Sequence, residues 1–513
     1  MNPNEKKNGG MMKTALIMVV ITLSAKLLGM LRDILLAASY GTTSAAVAYD
    51  TASRLPLIIF DFVIGGVITA SFIPIFNEIL VKKSKREALD FASSYVNIIL
   101  IITTVITIIG VVFSGALVGL LAPDVPDDTA SLAASLSRIM FPMIIFTGLA
   151  FSFVGFLQSF GNFLLPALIS LVSNLVMVLY FLLFNETFGI FGLAFAMLIG
   201  WAVQAFIQLP ATLKNGFRFT LKTDFRSPYI KKSFAMALPI LISSWVQPFC
   251  NLINTRFSSS IEGGISAMGY ANRLYLIIVG VFTFVATNLL FPYFSKAKAE
   301  GDAAEEARLT RTSVRSLMLI ILPITVGIWV LSEPIVTVIY QRGEFNALDA
   351  KMTAEALRFF SLGMPFYALN EVSTKKFFAE QKTLPPMLTA LISIVFNFVF
   401  VLLLSGKMGI GGIALSSALA VLVNAVLNIA LRYIGGDKIL AWSDIIQILI
   451  MLLSSLAMGA SVFFLSQKFS GFFGTVICVF VGAIVYFVIC LALGESMTRM
   501  TVSKFFSIGR SKK

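Results

Sequence analysis

The chain contains no histidine. Histidine is the commonest general base near neutral pH and the commonest metal ligand, so its absence lowers the expectation of acid–base or metal-assisted catalysis. Cysteine is nearly as scarce. Cys250, Cys478 and Cys490 lie in long apolar runs without paired spacing, which argues against a disulfide framework or a structural zinc site. Charge is thin too: 13% of the 513 residues are charged against 58% hydrophobic, and the mean hydropathy is +0.91. That balance excludes a soluble globular chain. The period-two alternation of a transmembrane β-barrel is also missing.

What is present is a series of apolar runs. Fourteen fall near 12–40, 46–79, 91–121, 131–160, 163–184, 189–213, 230–258, 265–295, 314–340, 352–379, 383–405, 411–434, 441–467 and 474–494. Each meets the roughly 20 residues a helix needs to cross a bilayer. The expected fold is all-α, a polytopic membrane protein with about 14 transmembrane helices. The first run follows Lys6, Lys7 and Lys13, but it is too long for a signal peptide and lacks a small-residue cleavage site. It reads as a retained span.

The net charge of +13 is distributed, not diffuse. Lys82, Lys83, Lys85 and Arg86 follow the second run; Lys214, Arg218, Lys222, Arg226, Lys231 and Lys232 follow the sixth; Lys296, Lys298, Arg308, Arg311 and Arg315 follow the eighth. The alternate loops carry Asp124, Asp127, Asp128, Glu186 and Glu262 instead. This asymmetry predicts cytoplasmic termini and a cytoplasmic link after the sixth run. Topology and attraction to anionic membrane lipids account for the basicity, and nucleic acid is not expected as a partner.

The chain also repeats itself. Arg54-Leu55-Pro56-Leu57-Ile58-Ile59 recurs as Arg273-Leu274-Tyr275-Leu276-Ile277-Ile278, in phase as far as Phe72 and Phe291. Pro166, Leu168, Ser173, Gly189, Ile190, Gly192 and Ala194 answer to Pro386, Leu388, Ser393, Gly409, Ile410, Gly412 and Ala414. Six spans per copy is an even number, so the copies form two parallel six-helix repeats, a transporter pattern. The expected organisation is an N-terminal half at 1–213, a basic linker at 214–232, a C-terminal half at 233–434, and two extra C-terminal helices with a tail at 435–513. The extra pair reads as a lipid-facing appendage or a groove for a lipid tail. Pro142, Pro239, Pro248, Pro323 and Pro365 fall inside runs and suggest bends.

Ionisable side chains inside apolar spans are costly and usually face a cavity or a partner. Lys26, Arg32 and Asp33 lie in the first run, Asp50, Arg54 and Asp61 along one stripe of the second, Arg256 near the end of the seventh, and Arg273 early in the eighth. Lys26, Arg32, Arg54 and Arg273 are the candidate substrate-binding cations, with Asp33, Asp50, Asp61 and Arg256 as gating or charge-pairing groups. Arginine's fixed charge and forked donors suit a diphosphate. Arg138, Lys375, Lys376 and Arg432 read as structural ion pairs or snorkelling ends. Asn254, Asn397 and Ser417 read as interhelical hydrogen-bonding groups, and Gly65-Gly66 as close packing or a hinge. No catalytic, metal or cofactor site is expected.

Leu28-Gly29-Met30-Leu31-Arg32-Asp33, Ala70-Ser71-Phe72-Ile73-Pro74, and Tyr340-Gln341-Arg342-Gly343-Glu344-Phe345 with Ala356-Leu357 and Leu362-Gly363-Met364-Pro365 resemble the MurJ (MviN) lipid II flippases of the multidrug/oligosaccharidyl-lipid/polysaccharide exporter superfamily. The resemblance covers nearly the whole chain. It implies a non-enzymatic protein of the bacterial plasma membrane that moves the undecaprenyl-diphosphate-linked peptidoglycan precursor outward, with lipid II as its partner and cell-wall synthesis proteins as further candidates. By position, Lys26 stands where family members often have arginine, Arg32 and Arg273 match family arginines, and Asp33 a family aspartate. Departures are visible: a family arginine falls on Phe60, an aspartate on Val47, and the carboxylates of a sodium site on Asn254 and Val401. Neither of the last two supplies a charge, so sodium coupling through them is not expected. Two rival readings stay open: a flippase for another polyprenyl-linked glycan, and a drug/cation antiporter.

Overall fold

The computed structural model describes residues 3–64, 71–220, 223–285, 293–294, 300, 302–380, 382–436 and 440–500. Among these the regular structure is helical, with no strand. The helices are α1 (Pro3–Tyr40), α2 (Ser44–Val63), α3 (Ile73–Lys82), α4 (Lys85–Val112), α5 (Ser114–Leu121), α6 (Asp127–Met140), α7 (Met143–Ser159), α8 (Leu164–Leu183), α9 (Asn185–Phe206), α10 (Leu209–Lys214), α11 (Pro228–Ser244), α12 (Val246–Ser258) and α13 (Gly264–Val285). They continue with α14 (Ala303–Tyr340), α15 (Ala347–Ser361), α16 (Met364–Ala379), α17 (Leu384–Ile434), α18 (Trp442–Ser466) and α19 (Gly471–Ala492).

Seven of the described helices are individually long and apolar enough to cross a membrane, or eight if α6 and α7, bent by 40°, form one span. Other runs divide where the backbone breaks. Phe113 leaves helical geometry between α4 and α5, and Pro142 stands at the α6–α7 bend. Pro365 lies in the first turn of α16, where its missing N–H costs nothing. The reverse happens in α17. Its 51 residues are continuous apart from Gly409; at about 1.5 Å per residue it would be far longer than the ~30 Å apolar core of a bilayer. Gly409 has φ 53° and ψ −130°, so two helices meet there. Gly189, its repeat mate, has φ 53° and ψ −147°. A left-handed φ admits glycine and little else, so the repeat read from sequence extends to backbone conformation. Gly65-Gly66 lies outside the described residues.

The chain forms two compact units, Met1–Ser266 and Ala267–Lys513. In the first, α1 packs along α8, α8 on α9, and α2 against α6. The linker is strapped to this unit: Phe217 is buried, the Thr220 backbone N–H donates to Ser93 Oγ at 3.1 Å, and Lys232 Nζ donates to Glu78 Oε2 at 2.6 Å. α11 and α12 follow, with Ser233 Oγ donating to Ser71 Oγ at 2.9 Å and Trp245 Nε1 to the Phe62 carbonyl at 2.9 Å. The division into units follows packing and so places the seventh run with the first unit, whereas the repeat follows sequence.

In the second unit α14 is the axis, packed by α15, α16, α18 and α19. On α19 the buried residues Gly474, Cys478, Gly482, Tyr486 and Cys490 recur every four positions, one stripe of a helix. Gly482 lets the neighbouring helix come close; a Cβ there would lie 2.8 Å from Val462 Cγ2. Its other faces expose Phe473, Phe480, Ile484 and Val488, as a helix bordering lipid does.

Candidate functional site

In the first unit, Arg32 donates from Nε and Nη2 to Asp33 Oδ1 at 3.1 and 2.8 Å. Its Nη1 donates to Asn174 Oδ1 on α8 at 3.0 Å, and Asn174 Nδ2 donates to the Ala25 carbonyl at 3.1 Å. Asn174 thus fixes the guanidinium and the α1–α8 spacing together. Gly29 leaves it room, since a Cβ there would stand 3.3 Å from Asn174 Nδ2. Lys26, on the same helix, is exposed, and Asp33 is buried.

Arg54 has different company. Its Nη1 donates to Thr255 Oγ1 at 2.8 Å and its Nη2 to the Ile265 carbonyl at 3.2 Å, tying α2 to α12 and to the start of α13. Asp50, one turn earlier on α2, is buried, whereas Asp61 is exposed. Arg256 donates from Nη1 to the Leu120 carbonyl at 2.7 Å, at the C-terminus of α5, where a cation is favoured.

Arg273 belongs to the second unit. Its guanidinium lies over the Tyr270 ring, 5.1 Å from the centroid. Tyr270 is fully buried and in contact with Tyr340 and Phe345, at centroid distances of 5.1 and 5.4 Å. The segment after α14 builds this platform: the helix ends at Tyr340, Gly343 turns the chain at φ 57°, and Phe345 is driven inward, 1% exposed. Asn346 then caps α15 through a reciprocal bond with Asp349. The Arg-Gly-x-Phe motif is therefore architecture that seats Arg273 on an aromatic face.

Four other cations in or at the ends of the apolar helices have local partners. Lys376 Nζ pairs with Glu306 Oε1 at 3.3 Å. Arg432 is 3.9 Å from the Phe377 ring centroid and 3.0 Å from Glu380 Oε1. Arg138 Nε donates to Ser114 Oγ at 3.0 Å, and Arg358 Nε to Ser332 Oγ at 3.1 Å. Arg358 stands 220 positions after Arg138, so one hydrogen bond is built twice, once in each unit. Sequence reading singled out Arg138 and passed over Arg358, although the repeat offset points to it. Asn397 is fully buried with neither amide atom hydrogen-bonded.

A family model described as lipid II flippase MurJ matches residues 36–494. A probable lipid II flippase MurJ of Rhizobium tropici is 28% identical over 465 residues, covering 88% of this chain and 87% of that protein. The corresponding protein of Treponema pallidum is 28% identical over 433 residues, covering 82% and 81%. Among solved structures, a lipid II flippase MurJ in an inward closed conformation aligns with a TM-score of 0.81 at 22% identity, covering 94% of this chain and 99% of that one. An inward-facing multidrug resistance MATE family transporter aligns at 0.68 and 16% identity, covering 82% and 98%. The helical fold, the charged side chains within its apolar helices and a family match running through both units converge: the chain belongs to the lipid II flippase MurJ family.

Proposed function

We propose that this protein is a lipid II flippase, moving the undecaprenyl-diphosphate-linked peptidoglycan precursor from the inner to the outer leaflet by alternating access, without making or breaking a bond. The observation that carries the reading is the family match over residues 36–494. Lys26, Arg32 and Arg54 in the first unit and Arg273 in the second are the proposed contacts of the diphosphate. Asp33 is their proposed charge partner beside Arg32, and Asp50, Asp61 and Arg256 are proposed to act in gating. A drug/cation antiporter would favour acidic rather than cationic side chains at the substrate. The test is depletion of the protein in its host. Lipid II is expected to accumulate in the inner leaflet; accumulation of a different polyprenyl-linked glycan, with lipid II unchanged, would assign the other substrate.

The proposed orientation places both termini and the 214–232 linker in the cytoplasm of a bacterial cell, from the cation asymmetry of the loops. Asp127 begins α6, and Ser84 caps α4 by accepting from the Glu87 N–H at 3.2 Å. With an impermeant thiol reagent on intact cells, Asp127→Cys is expected to label and Ser84→Cys to stay unlabelled. The opposite pattern would reverse the orientation and the direction of transport.

A further inference from the structure

Arg308, Arg311 and Arg315 lie three and four residues apart along α14 and so share one face. Beside them α18 begins at Trp442, and Asp444 reaches the same place. A cavity of about 500 Å³ is lined by these arginines, Thr312 and Asp444.

The cavity is not short of positive charge but of acceptor oxygens. Arg308 is spoken for, held by Glu305 through two bonds of 2.6 and 2.7 Å. Arg315 leans on Glu495 at 3.5 Å and on Ser496, and stands 3.6 Å from Asp444 Oδ1. Arg311 Nε is 3.8 Å from Asp444 Oδ2, beyond hydrogen-bond reach, and that oxygen already accepts from the Ala441 N–H at 2.9 Å. The Nε atoms of Arg311 and Arg315 are both buried and hydrogen-bond to no described group. Buried guanidinium donors left without acceptors are costly, and a tetrahedral oxyanion presents several acceptors at once.

The depth of the cavity identifies the kind of anion. Trp442 is 75% exposed, and Ile445, Ile446, Leu449 and Leu453 after it are exposed and apolar. An exposed tryptophan followed by an exposed apolar face marks the level where headgroups give way to acyl chains. Basic pockets between transmembrane helices at that level suit anionic headgroups.

We propose that the cavity between α14 and α18 binds the phosphate of one anionic phospholipid, with Arg311 and Thr312 as its principal contacts and Arg315 supporting them. The bound headgroup supplies the missing acceptors to the arginines of α14, while Asp444, the α18 carboxylate in the lining, stays with the Ala441 N–H and Arg315. The site is independent of which cargo the protein moves.

The test uses full-length protein in zwitterionic detergent, titrated with phosphatidylglycerol carrying a fluorescent acyl chain and followed by anisotropy. Saturable binding is expected. Arg311→Gln should weaken it about five-fold, the ratio equivalent to ~1 kcal/mol for one basic residue near a membrane surface. Arg311→Lys should recover part of the loss, and Arg86→Gln, an exposed basic residue of the other unit, should change nothing. Arg311 is the site to mutate because it leaves the Arg315–Glu495 bridge in place, and an unchanged size-exclusion profile reports that the variant folds. Equal binding by Arg311→Gln and the unaltered protein would overturn the proposal, as would equal weakening by Arg86→Gln. Displacement of the lipid by an equal concentration of inorganic phosphate would overturn it in favour of a free anion.

Discussion

Alanine at Arg273 is expected to abolish complementation of a strain depleted of its own lipid II flippase, with the variant still present in the membrane. Removing the guanidinium takes away a forked donor whose position is set by Tyr270 beneath it, itself fixed by Tyr340 and Phe345. Arg273→Lys should rescue only in part, because a compact ammonium cannot reproduce two parallel donors on a diphosphate. Arg32→Ala should also abolish complementation, but its surroundings require a control. Arg32 is bonded to Asp33 and Asn174, so part of any loss could come from a loosened α1–α8 contact. Asn174→Ala removes that tie while sparing the cation. If Asn174→Ala complements and Arg32→Ala does not, the charge acts on the cargo. Full complementation by both Arg32→Ala and Arg273→Ala would remove the cationic contacts from the mechanism.

The second large effect concerns stability. Glu380→Ala is expected to destabilise the protein by about 3–5 kcal/mol, the usual cost of leaving the other member of a buried ion pair uncompensated. The member left behind is Arg432, 3% exposed, which also donates to the Ser373 carbonyl at 3.2 Å. Burial pushes the Glu380 carboxyl up, but hydrogen bonds from Arg432 and Lys382 outweigh it and hold the group below the usual carboxylate value of 4.5. A lowered folded-state value means the contribution is complete above the unfolded value and is lost as pH falls through the folded one. The pair should therefore stabilise fully at neutral pH and weaken only as the pH falls below that usual carboxylate value. A lower apparent Tm in detergent at pH 7 is the readout. Glu380→Ala combined with Arg432→Met should recover much of the loss, since no charge is then stranded. An unchanged Tm for Glu380→Ala alone would show that Arg432 is satisfied by the carbonyl and the ring.

Much of the fold can be read in the sequence because a bilayer permits few alternatives. Backbone groups in hydrocarbon must bond within their own helix, so long apolar runs become helices. The repeat was equally plain, and Gly189 and Gly409 carry it into backbone geometry. Hydropathy does not register bends, so the breaks at Phe113 and Pro142 were merged into single runs. The candidate cations stood out because charge is rare in such runs. Their partners did not: Asn174 is 142 residues from Arg32, and Thr255 is 201 residues from Arg54. Neither hydroxyl nor amide is unusual enough in a membrane helix to announce a partner so far along the chain. The motif around Gly343 was visible as a pattern, but its use as an aromatic seat for Arg273 required the side chains to be in place.

The left-handed glycines at 189 and 409 bear on how the chain is made. Each sits at a single-residue break in an otherwise helical segment, Asn185–Phe206 in one case and Leu384–Ile434 in the other, where two apolar helices meet with almost no chain between them. A ribosome feeding such a segment into the membrane presents the second helix almost as soon as the first has emerged. The pair can then partition into lipid as one hairpin, with little polar chain to be carried across alone. A side chain with a Cβ at either position would oppose the break at the moment of insertion. Its cost would fall on the yield of correctly threaded protein before it fell on the rate of transport.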